Sequence, residues 1–168
     1  MRIMLDEIAQ YAVKAEFAGL GELTFSGALW ETDDGYLQEA FHIVIDVIPD
    51  GGPAVLVHEQ SYRGGVSGDY NFIDIAHSKC SVSVRTGKDT RDVPVEDRLP
   101  GETEYWGSIV RPLIFAGNCR LVLAGSGYRS EIDEVICERV YLLMMALIDV
   151  RVRAAREEGD TSKVLIVF

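Results

Sequence analysis

The stretch LAGSGYRS at 123–130 holds the most chemical-looking spacing in this sequence. An apolar run ends at Gly125, Gly127 follows one residue on, and Arg129 and Ser130 lead into a helical pattern. Backbone N–H groups at a helix N-terminus can hold a phosphate, and glycines let it approach closely. The spacing Gly125-x-Gly127-x-x-Ser130 is a partial dinucleotide pattern, with Ser130 in place of the third glycine. Glu131, Asp133 and Glu134 put negative charge where the phosphate would sit. Only one more short apolar run follows the helix, which leaves no place for an acidic ribose ligand. A GK[ST] tripeptide is missing as well. The balance favours a plain strand-to-helix turn. Gly125, Gly127, Arg129 and Ser130 stay as the cofactor-binding residues of an alternative, in which the glycine loops 63–68 and 125–130 serve a small-ligand or phosphate-binding enzyme or sensor.

A second candidate is HSKC at 77–80, with a His and a Cys three apart. Zinc needs four ligands, and His42, His58, Cys119 and Cys137 are scattered along the chain. A hairpin corner explains the tetrapeptide more simply. Asp69, Asp74 and His77 follow the glycine-rich stretch and offer acid–base groups, but no nucleophile motif accompanies them. No GxSxG, HExxH or EF-hand spacing occurs. The expectation is therefore a non-enzymatic chain with no catalytic residue, no metal and no cofactor.

Charge gives the main functional reading. The net charge is −11, and residues 1–60 hold 11 acidic and 2 basic side chains. Such a surface repels nucleic acid and anionic lipid and attracts basic proteins. Glu22, Trp30, Glu31, Asp33, Asp34 and Glu39 fall where strands and turns would gather them, with Trp30 as an aromatic anchor. These residues are expected to bind and neutralise a basic protein partner, as an inhibitor, antidote or charge mimic does. A self-assembling structural subunit is a further alternative. The N-terminal MRIMLDEIAQ is interrupted by Asp6 and Glu7 and does not read as a signal peptide. The longest apolar run, VYLLMMALI, is nine residues long, and a span needs about 20. Three cysteines with no CxxC argue against a disulfide framework. A soluble cytoplasmic protein is expected.

The elements that must position these residues follow from periodicity. Its 168 residues suggest a single domain spanning 1–168. Residues 3–17 carry apolar side chains at helical spacing, with Gly19 as the stop. Alternation predicts strands over 22–31, 36–48 and 53–62, joined by TDDG and PDGG in an antiparallel meander. Further strands are expected over 70–76, 80–86 and 119–125, and an extended segment within 105–117. The charged stretch 87–104, with two prolines and two glycines, reads as a mobile loop. Residues 130–157 predict a long buried helix, capped by Ser130 and Asp133. KVLIVF at 163–168 predicts a final strand. The fold class is α+β, a mainly antiparallel sheet with an N-terminal amphipathic helix, a long buried C-terminal helix and a C-terminal strand.

Overall fold

The computed structural model describes residues 1–25 and 40–168. It is an α+β domain. Strand β1 (Arg2–Met4) leads into helix α1 (Leu5–Phe25), and a hairpin of β2 (Phe41–Ile48) and β3 (Val55–Tyr62) follows. Two short strands, β4 (Val66–Ser67) and β5 (Tyr70–Asn71), precede helix α2 (Phe72–Thr86). Strands β6 (Ser108–Pro112) and β7 (Arg120–Ser126), helix α3 (Ser130–Glu157) and strand β8 (Leu165–Val167) complete the order. Among the described residues the main sheet has four antiparallel strands in the order β3-β2-β7-β6, and β1 pairs with β8 in parallel.

Strand β2 lies inside this sheet and is covered on both faces. Phe41, Ile43, Ile45 and Val47 point into the larger core with α1 and α3. Val44, on the other face, joins Ala76 and Cys80 of α2 and Val122 and Ala124 of β7. The two-sided alternation expected of this strand is therefore observed, and α2 is what covers the face bearing His42, Val44 and Asp46. That arrangement places polar side chains of three elements under a helix.

Helix α2 replaces the two strands expected over 70–76 and 80–86, and the hairpin corner expected at HSKC falls mid-helix. The β-branched Ile73, Ile75, Val82 and Val84 mimic strand alternation. What decides is the spacing of the buried residues: Phe72, Ala76, Lys79, Cys80 and Ser83 recur three and four apart, on one helical face. Both ends are also capped. The Asn71 side chain accepts from the N–H groups of Ile73 (3.1 Å) and Asp74 (3.4 Å), and Gly87 closes the last turn at φ 69°. Asn71→Ala should lower stability by about 1 kcal/mol, read from chemical denaturation. An unchanged midpoint would mean that the cap adds nothing.

Three other expectations shift. Helix α1 runs through Gly19 to Phe25, so residues 22–25 are helical and not the start of a strand. Among the described residues nothing lies within 4 Å of where a Gly19 side chain would begin, and this glycine does not stop the helix. The rest of the expected strand 22–31, the TDDG turn and residues 36–39 lie outside the described residues. Helix α3 has the expected bounds, but Arg129 is its N-cap, with no side-chain cap bond, and Ser130 is the first helical residue. Asp133 reaches back instead to the N–H of Tyr128, at 2.9 Å.

The stretch 87–104 contains two 3-10 turns, Thr90–Asp92 and Val95–Asp97, and a set of polar anchors. The buried Thr90 hydroxyl accepts from the N–H groups of Gly107 (2.9 Å) and Ser108 (3.0 Å). Arg98 donates to the carbonyls of Thr90, Val93, Thr103 and Tyr105. Asp89 accepts from Val110 N–H and pairs with Arg111. Limited proteolysis separates this anchoring from the mobility expected of the composition. The bonds predict that the parent resists trypsin at Lys88 and Arg91 and that Arg98→Ala becomes sensitive there. Rapid nicking of the parent within 87–104 would show a mobile loop.

Candidate functional site

A buried ion pair lies where α2, β7 and the start of α3 meet. Lys79 Nζ is 2.8 Å from Asp133 Oδ2, and each side chain is 1% exposed. The ammonium also donates to the carbonyl of Gly125 at 2.8 Å. Two of its three N–H groups are thus used among the described residues. Asp133 takes Lys79 on one oxygen and the Tyr128 N–H on the other. Burial lifts the Asp133 carboxyl to about 6, although Lys79 pulls in the opposite direction.

Gly107 allows the chain to pass close over this pair. Its φ is +134°, and a Cβ there would lie 2.7 Å from the Asp133 Cβ and 3.1 Å from Lys79 Nζ. A side chain at this position would strain the backbone and press on both charges.

Lys79 and Asp133 line a cavity of about 130 Å³ on the α2 side of the sheet. Tyr70, Phe72, Tyr105 and Tyr128 give its walls aromatic surface, and the hydroxyls of Ser126 and Ser130 enter the same lining. The rings of Tyr70 and Phe72 are stacked, 6.1 Å apart and 2° from parallel. The Tyr128 ring is held against Phe41 at 5.4 Å. Aromatic walls combined with converging polar groups are a common feature of small-molecule sites.

The glycine loop contributes to this cavity in a different way from the one its spacing suggests. A Cβ on Gly127, whose φ is +155°, would lie 2.4 Å from the Ala40 carbonyl oxygen and 2.8 Å from Phe41 Cα. A Cβ on Gly125 would meet Phe41 Cζ at 2.6 Å and Cys137 Sγ at 3.1 Å. Both glycines are therefore required for close packing against β2 and α3. The N–H groups of Ile132 and Asp133 are bonded to the Arg129 carbonyl, and that of Tyr128 to Asp133. Those donors are not aimed at a ligand. Ser130 lines the cavity, and Arg129 caps α3 through its backbone.

A second polar group lies farther along the same face. His42 on β2, Glu59 on β3 and His77 on α2 place their donor atoms within 4.8 Å of one another. His42 is 4% exposed, and its Nδ1 lies 2.8 Å from Ser61 Oγ. Burial pushes its pKa down, against the opposing field of Glu59. His77 Nε2 lies 2.9 Å from Glu59 Oε2, both half-exposed. His42 is the register partner of Ser126, so this group borders the cavity. Asp46, two positions below Val44 on the same face, faces the Cys80 thiol, and burial raises the pKa of both groups.

Several sequence expectations fall elsewhere. Asp74 bonds to Asn71 Nδ2 (2.7 Å) at the helix cap, while His77 turns to Glu59, so the acid–base group of Asp69, Asp74 and His77 is divided. Among the acidic binding residues, Glu22 sits in the last turn of α1. Trp30, Glu31, Asp33, Asp34 and Glu39 lie outside the described residues. The three cysteines are free thiols. No described helix is long and apolar enough to cross a membrane.

Sequence reasoning missed Lys79, Asp133 as its partner, and Glu59. A lysine next to a cysteine on an apolar helical face was the available signal, because lysine is rarely buried without an anion. Its partner is 54 positions away, and no local pattern links them.

Comparison with known proteins places the fold alone. No family model matches the chain, and no curated protein matches it in sequence. Its structure is similar to that of HbpS, with a TM-score of 0.50 and 16% identity, covering 85% of this chain and 90% of that one. Protein ORFY of Klebsiella pneumoniae (DUF336) gives 0.48 at 15% identity, covering 82% and 88%. The Ybr137w protein gives 0.43 at 16% identity and covers 61% of this chain, which spans 64% of that one. At such identities the likeness to HbpS speaks for the α+β architecture and for nothing in the site. The two lower scores carry no argument.

Proposed function

We propose that this chain is a small-ligand-binding domain whose site is the cavity over Lys79 and Asp133. The observation that carries the proposal is a pair of opposite charges, each 1% exposed, in the wall of a cavity that also bears the rings of Tyr70, Phe72, Tyr105 and Tyr128. A buried ion pair is poor at stabilising a fold compared with apolar packing of the same volume. Its position here gives it a second use. The remaining N–H of Lys79 suits a carboxylate or carbonyl oxygen, and the tyrosine and phenylalanine rings suit a flat apolar body. The ligand class is therefore a small aromatic or unsaturated molecule with one acceptor head. Titration calorimetry with small aromatic carboxylates tests the reading. Tyr105, half-exposed at the rim, can be cut back without opening the core. Binding by the parent that is weakened in Tyr105→Ala supports the proposal, and equal binding by both, or by neither, removes it.

A second reading is favoured by the charge distribution. With 11 acidic and 2 basic side chains in residues 1–60, the chain would bind and inhibit or neutralise a basic protein partner. Salt-sensitive association that is lost on replacing Asp33, Asp34 and Glu39 by Asn, Asn and Gln would support it. Association that survives both salt and the substitutions would dismiss it.

A further inference from the structure

We propose that His42, Glu59 and His77 form a binding site for one divalent first-row transition-metal ion of the zinc type. The site is separate from the ligand-binding reading above and does not rest on it. Three elements each supply one donor: β2 gives His42, β3 gives Glu59 and α2 gives His77. Glu59 sits opposite Val44 and Ser61 opposite His42, so Glu59 is the diagonal neighbour of His42 on the face that α2 covers. His77 lies over that face, its ring 5.8 Å from the His42 ring.

The buried nitrogen of His42 distinguishes this group from an ordinary surface ion pair. Its Nδ1 is committed to Ser61 Oγ at 2.8 Å, while Nε2 is buried and has no partner among the described residues. An unpaired buried nitrogen is costly, and metal-binding imidazoles commonly have their other nitrogen held by a hydrogen bond in this manner. The Ser61 contact fixes the ring and leaves Nε2 for a ligand.

The remaining geometry needs only small adjustment. Zinc binds imidazole nitrogen and carboxylate oxygen at about 2.0–2.2 Å, which puts tetrahedral donors about 3.4 Å apart. The three donor atoms lie within 4.8 Å of one another. Glu59 and His77 are both 46% exposed, so their side chains can turn to close the difference around a fixed His42. Two imidazoles and one carboxylate suit zinc and its first-row neighbours, and disfavour calcium and magnesium, which prefer all-oxygen sites. Three protein donors leave a coordination position for water or another small ligand.

The test uses the full chain, free of any histidine tag, stripped with chelator and titrated with Zn2+ against a competing indicator. Co2+ titration provides the spectrum. The expected result is one Zn2+ per chain and visible Co2+ bands without a thiolate charge-transfer band. His77→Ala and Glu59→Gln, both at half-exposed positions, should each weaken binding by at least about 10-fold with unchanged apo melting. His42→Asn should do the same if it folds, and the two exposed variants decide the matter if it does not. Absence of stoichiometric binding overturns the proposal. So does equal binding by the parent and the variants, which would mean an adventitious ion only, or a thiolate band, which would place the metal on cysteine.

Discussion

Lys79→Met is expected to cost about 3–5 kcal/mol, because it leaves the Asp133 carboxylate buried with its charge uncompensated. Asp133 is 1% exposed, and among the described residues its carboxylate otherwise accepts one backbone N–H, from Tyr128. Domains of this kind have a total stability of about 5–15 kcal/mol, so the loss removes a large share. A second substitution, Asp133→Asn, should return most of it in the double variant, since an amide carries no charge to bury. The coupling from the double-mutant cycle, read from denaturant midpoints, separates pairing from packing. Additive costs would show that the two side chains do not depend on each other.

The same pair sets a pH dependence. Burial raises the Asp133 carboxyl from 3.8 to about 6 in the folded chain. Between those values the folded state holds a proton that the unfolded state has released. The contribution of this group therefore grows as pH falls through 6 and is lost as pH rises through it. The stability of the parent relative to Asp133→Asn should rise from pH 7 to pH 5, and the deficit of Lys79→Met should shrink over the same range. A difference independent of pH would mean that Asp133 titrates at its ordinary value.

Met144→Asp is expected to prevent folding, and Leu142→Asp to be tolerated. Met144 is fully buried beside Val140 and Ile148, while Leu142 is 61% exposed. An isolated charge at the first position has neither water nor a partner. The change at the second stays in solvent, where surface substitutions usually move stability by about 0.5 kcal/mol or less. Circular dichroism and thermal melts of the two variants check this. If both melt like the parent, the buried face of α3 is assigned wrongly.

The contrast also shows why part of the fold was legible. From its sequence α3 reads as a long buried helix, and Leu143 and Leu147 fall in the middle of its apolar run. In the structure those two are only partly buried, and the innermost line is Cys137, Val140, Met144 and Ile148. Length and end signals located the helix, but an apolar stretch with exposed leucines has no single face to read. Strand β2 was legible because its alternation is regular and both faces are covered. Helix α2 was not, because β-branched residues imitate a strand, and its caps, Asn71 and Gly87, look like turn residues. With α2 misread, His77 and Lys79 lost their direction. Neither the ion pair to Asp133 nor the approach of His77 to Glu59 and His42 was then visible.

The most direct test of the central claim is a titration of the amide correlation spectrum of the labelled chain with small aromatic carboxylates. Saturable shifts are expected at Tyr70, Lys79, Tyr105, Ser126 and Tyr128, residues around the cavity. Signals that no compound moves, or shifts that gather instead in the acidic residues 31–39, would contradict a ligand site over Lys79 and Asp133.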